Sequence, residues 1–168
     1  MQQGMPTASA WDAPMIGRGR PRWRPIVSAG LLIGALDLAF AWAFWAPRGV
    51  TLQRITQSIG AGWFGDRSFS MGAASAVVGT VSHFAIAIAF VVIYALAARR
   101  AAVLVRRPVL PGLVYGVGLY LAMNLVVLPL SAAGSPGFEN LPWVASSVVV
   151  HALIGVICAF AARRALRG

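Results

Sequence analysis

Four stretches of the chain, at about residues 26–46, 73–98, 109–131 and 143–162, are each dominated by apolar residues. Each is close to the ~20 residues a helix needs to cross a ~30 Å hydrocarbon core at ~1.5 Å per residue. Inside a bilayer the backbone must satisfy its own polar groups, so such runs predict helices. Composition agrees. Hydrophobic residues make up 59% of the chain and charged residues 11%, with mean hydropathy +0.77. A soluble domain carries about 25% charged residues. The expected fold class is all-α: a polytopic membrane protein in which residues 25–163 form a bundle of four transmembrane helices.

Charge placement sets the expected orientation. All 14 basic residues are arginine, which reads as a coding bias. The net charge of +10 does not call for nucleic acid, because membrane proteins gather arginine in cytoplasmic loops. Arg18, Arg20, Arg22 and Arg24 precede the first run, Arg99, Arg100, Arg106 and Arg107 separate the second from the third, and Arg163, Arg164 and Arg167 follow the fourth. Only Arg48, Arg54 and Arg67 fall on the other side. That asymmetry predicts that both termini lie in the cytoplasm. Trp42, Trp45 and Trp143 then mark the outer interface, and Trp23 and Tyr94 the inner one. Residues 1–24 read as a disordered basic tail lying against anionic headgroups.

A cleaved signal peptide is the competing reading of the first run. Its apolar stretch is longer than the usual ~7–15 residues of a signal core and contains Asp37, so an uncleaved helix is expected. Pro47 ends that helix, Pro108, Pro111 and Pro142 open later ones, and Pro129 bends or terminates the third. Cys158 stands alone, which excludes an intramolecular disulfide.

The loop from 47 to 72 has pattern of its own. Thr51 suits a helix cap, and Leu52, Ile55, Ile59 and Trp63 fall near one face. A short amphipathic helix around 51–59, lying in the outer interface, is expected, with a re-entrant segment as the alternative. "GAGWFG" (Gly60–Gly65) matches G-x-G-x-x-G but lacks the strand and the βαβ context of a dinucleotide site. Its glycines serve a turn or close packing instead.

Asp37 is the unusual residue. Counted from Ile26 it lies ~17 Å into the core, where a carboxylate is costed at roughly 2.5–3.5 kcal/mol on insertion scales. His83, Asn124 and His151 fall at similar depths, ~10–15 Å below the outer surface. Small residues accompany them at helical spacing: Gly30 and Gly34 in the first run, Gly79 in the second, Gly112 and Gly116 in the third, Gly155 in the fourth. Such residues let membrane helices approach closely. An intramembrane cluster of Asp37, His83, Asn124 and His151 is therefore expected, facing the interior of the bundle.

Interhelical hydrogen bonding accounts for Asn124 and the serines. For the Asp and the two histidines, three functional readings compete. The first is proton- or cation-linked transport, since intramembrane ionisable groups mark ion pathways and histidine changes charge between about pH 5 and 8. A homo-oligomer is expected in that case, four helices being few. The second is a non-catalytic assembly or envelope-stability protein. The third is a haem protein with His83 and His151 as axial ligands. No resident cofactor is expected, and a metal ion such as zinc on Asp37 and the two histidines is a variant of the first reading. Enzyme chemistry is not expected: HExxH, GxSxG and paired carboxylates are absent.

"RGVTLQRITQSIGAGWFG", "HFAIAIAF", "GLVYGVGLYLAMNLVVLPLS" and "HALIGV" carry a resemblance. Over about residues 26–162 the chain resembles a family of small uncharacterised bacterial four-helix inner-membrane proteins. The resemblance implies four helices and an inner-membrane location, and no activity.

Overall fold

Each apolar run is helical in the computed structural model, which describes residues 22–167. Most of the basic tail expected at 1–24, with Arg18 and Arg20, lies outside the described residues. The described elements are α1 (Trp23–Trp45), α2 (Leu52–Phe64), α3 (Ala73–Arg100), a short α4 (Val103–Arg106), α5 (Val109–Ala122), a single turn α6 (Leu128–Leu130) and α7 (Leu141–Leu166). No strand occurs among the described residues. Four segments are long and apolar enough to cross a membrane: Trp23–Arg48, Ala73–Arg100, Val109–Leu130 and Leu141–Leu166. The first and last extend past the ranges expected from hydropathy. Helical geometry continues through Trp23 and Arg24 at one end and through Arg163 and Arg164 at the other.

Local chemistry explains the ends. Thr51 Oγ1 accepts the Arg54 amide at 3.2 Å and starts α2. Asn140 Oδ1 accepts the Trp143 amide at 3.2 Å and starts α7, with Pro142 in the first turn where a missing N–H is harmless. Gly65 and Gly72 take positive φ, +56° and +60°, on either side of the turn that joins α2 to α3. Pro129 falls, as expected, at the end of the third long segment. It lies in α6, just after a π-helical stretch, Met123–Val127, and the segment then stops at Ser131. A proline removes one backbone donor, and a local π register redistributes the bonds it disrupts.

Helix packing follows the small residues. α1 runs antiparallel to α3, with Gly34 against Phe84 and Gly30 against Ile88. It also runs antiparallel to α7: Phe40 stacks on Trp143 at one end, and the Arg22 amide donates to Ala165 O at the other. α5 packs against α7 through glycine on both sides. A Cβ on Gly116 would overlap the carbonyl oxygen of His151, and one on Gly155 that of Gly112.

Gly79 behaves differently from expectation. It meets α2, not another long helix: a Cβ there would overlap the carbonyl oxygen of Thr56. Gly60 answers from α2, its Cβ position 2.6 Å from Ser75 O. The face of α2 buried on the protein is thus Thr56, Gln57, Gly60 and Ala61 with Ile55, rather than the apolar stripe alone. Its polar members are satisfied. Gln57 Nε2 donates to Gly72 O at 3.0 Å, and Ser68 Oγ donates to Gln57 O at 2.6 Å.

The bundle is unevenly filled. At the end away from α2 the core is dense: Ile26, Val91, Tyr94, Ala98, Cys158 and Ala162 are each at most 2% exposed. Alanines there bring α3 and α7 together. At the α2 end the same helices are separated by a cavity.

Candidate functional site

The cavity has a volume of about 890 Å³ and is walled by α1, α3, α7 and the π–α6 stretch, with Ile55, Ser58, Ile59 and Trp63 of α2 also on its lining. α2 is tied to both sides. The Trp63 indole N–H donates to Ser82 Oγ at 2.9 Å, and the Ala132 amide donates to Gly62 O at 3.0 Å. Between α3 and the third long segment the cavity is not sealed: Val81 and Leu130 on its rim are 64% and 83% exposed. The two meet beyond the cavity, where Tyr115 Oη donates to Phe90 O at 2.8 Å.

Three of the four residues of the expected cluster line this cavity: Asp37, His83 and His151. His83 Nε2 lies 2.9 Å from Gly34 O and 4.0 Å from Asp37 Oδ2. A carbonyl oxygen only accepts, so Nε2 carries the proton, donates to Gly34, and leaves the carboxylate at the outer limit of ion pairing. Asp37 therefore keeps its acceptor capacity for something in the cavity. Its side chain is 26% exposed and that of His83 14%.

His151 lies on the opposite wall. Its Nδ1 donates to Ser147 O at 2.9 Å, one turn back in its own helix, and its ring meets that of Tyr120 edge-on at 5.5 Å. Nδ1 holding the proton leaves Nε2 as the free acceptor of the neutral ring. The partner of Asp37 is His83, and no ion pair joins Asp37 to His151 among the described residues.

Asn124 does not join the others on the cavity lining. Its Nδ2 donates to Tyr120 O at 2.8 Å, within its own helix, at the junction where α geometry gives way to π. The reasons are register and rotation. The crossing of Gly116 with His151 brings Tyr120, not Asn124, to the histidine's level, and rotation does the rest: Met123 and Val127 of the same stretch line the cavity while Asn124 turns back to Tyr120 O.

Two features of the site were not legible as such. Ser147 is 4% exposed, lies on the cavity wall, and its hydroxyl has no hydrogen-bond partner among the described residues. Its place one turn before His151 was the available signal. The second is an aromatic wall. Phe40, Trp45 and Trp143 line the cavity, with Phe40 and Trp143 stacked at 5.4 Å and Trp45 at 5.5 Å from Trp143. The tryptophans were legible only as interface markers. No group of three His, Cys, Asp or Glu side chains that could hold a metal ion occurs among the described residues.

Fold and site together define an all-helical protein with four helices suited to crossing a membrane and a polar pair opening into a cavity between them. Comparison with family models, with curated proteins and with solved structures finds no match for the chain.

Proposed function

We propose that this is a multi-pass protein of the bacterial inner membrane, with both termini in the cytoplasm, that carries out proton- or cation-linked transport through Asp37 and His83. The arginine asymmetry supports the location and orientation. In that frame α2 lies at the outer surface, over the mouth of the cavity. The resemblance to small inner-membrane proteins fits this placement and supplies no activity.

The observation that carries the transport reading is the Asp37–His83 pair at 4.0 Å, opening on one side to a cavity of about 890 Å³ and backed on the other by a close-packed core. An ionisable pair at such a boundary is reached from one face only, as a carrier requires of its binding groups in each state. Protonation of His83 and arrival of a cation are alternative ways to neutralise the same carboxylate, and competition between them couples proton to solute. A second copy of the chain completes the pathway in this reading.

The haem reading is less well supported. Ligation through His83 Nε2 requires breaking its bond to Gly34 O.

Proton flux into liposomes under an imposed pH gradient tests the proposal. Wild-type protein is expected to dissipate the gradient, and Asp37→Asn to slow this at least tenfold. Wild-type flux equal to that of empty liposomes refutes it.

A further inference from the structure

We infer that the cavity binds a free amphiphilic organic cation, an ammonium bearing aromatic or alkyl groups, with Asp37 as its counter-ion. The inference rests on the transport reading and names its substrate class.

Charge and shape carry it. Among the described residues Asp37 is the one acidic residue on the lining, and no arginine lines it. The remaining surface is apolar and aromatic. Phe40 lies one turn from Asp37 on the same face of α1, and Trp143 stacks against it. Aromatic faces within ~6 Å of a cation attract it, most strongly when water is excluded.

Other occupants fit less well. An inorganic ion needs several oxygen or nitrogen ligands at close range, and no such cluster exists among the described residues. A volume of about 890 Å³ is that of a site for a small organic molecule. A phospholipid ammonium brings a phosphate, and no arginine among the described lining residues meets it. The unsealed gap between α3 and the third long segment, rimmed by Val81 and Leu130, gives an amphiphile a route from the lipid phase.

The test uses the full chain in phosphatidylglycerol nanodiscs, with phenyltrimethylammonium as probe and tert-butylbenzene as its uncharged isostere. Equilibrium dialysis measures affinity, and quenching of tryptophan fluorescence reports occupancy near Trp45, Trp63 and Trp143. Saturable binding is expected, at least tenfold tighter for the cation than for the isostere. Asp37→Asn is expected to weaken it at least tenfold, and Phe40→Leu about threefold with the carboxylate intact.

Equal affinity for probe and isostere, or unchanged affinity in both variants, overturns the inference. So does a tenfold loss of probe affinity when phosphatidylcholine replaces an uncharged lipid at constant phosphatidylglycerol content, surface charge being equal, which would place a lipid headgroup in the site. Asp37-dependent proton flux without probe binding removes the organic cation and leaves transport standing. Probe binding without flux does the reverse.

Discussion

The α5–α7 crossing allows a prediction whose size can be worked out. A Cβ on Gly116 would overlap His151 O and lie 2.7 Å from the Cα of Ala152. One on Gly155 would overlap Gly112 O and lie 2.7 Å from the Cα of Gly116. Non-bonded carbons sit best at about 3.5–4.0 Å, so the helices must part by about 1 Å. The opposing atoms are backbone and cannot rotate away. Overpacking of this kind costs about 1–3 kcal/mol. Against it stands the intrinsic preference of a helix for alanine over glycine, about 1 kcal/mol in water. Gly118 supplies the control, because a Cβ there meets nothing within 4 Å. Gly118→Ala carries the propensity gain alone, so the propensity term cancels in the comparison. Gly116→Ala is expected to be about 1–3 kcal/mol less stable than Gly118→Ala. Gly116→Ala combined with Gly155→Ala should cost less than the sum, since one separation relieves both overlaps. Reversible unfolding in bicelles, by titration with sodium dodecyl sulfate or by steric trapping, measures the difference. Stabilities of Gly116→Ala and Gly118→Ala within about 0.5 kcal/mol of each other, the range of neutral surface changes, would show that the crossing is not held by glycine. Parting these helices also moves Tyr120 away from His151.

Two further outcomes test the site and its orientation. Ser147→Ala removes a buried hydroxyl without a partner, a group that costs about 1–3 kcal/mol to bury, so the ligand-free variant should be at least as stable as wild type in the same titration; clear destabilisation would mean that the hydroxyl has a partner. For topology, a membrane-impermeant maleimide applied to intact cells should label Ser135→Cys and reach Arg167→Cys only after lysis, the buried native Cys158 staying silent; the reverse pattern would invert the orientation.

Much of the framework was written in local sequence. Hydropathy located the four long helices, because a run of apolar side chains long enough to cross a bilayer has few other places to go. The glycines at 112, 116 and 155 were legible as packing residues from their spacing, and Thr51 as a cap from its position before an amphipathic stretch. Asp37 stood out because a carboxylate in an apolar helix needs an explanation that its own helix cannot provide.

Contacts between helices were decided by the tertiary structure. Depth counted along a helix placed His83, Asn124 and His151 together, but rotation and the α5–α7 register separated Asn124 from the others. The line Ser75, Gly79, His83 divides in space: its first two members face α2 and its third faces α1. No periodicity in α3 could state that, since the same face of a helix meets different neighbours at different heights. The cavity arises from a difference along the bundle, alanines closing it at one end and aromatic rings with α2 surrounding a space at the other. Sequence determined which segments are helical and which side chains are unusual, because those properties reside in single residues and their near neighbours. Only the packed structure decided that Asp37 pairs with His83, because that pairing depends on the distance and angle between two helices.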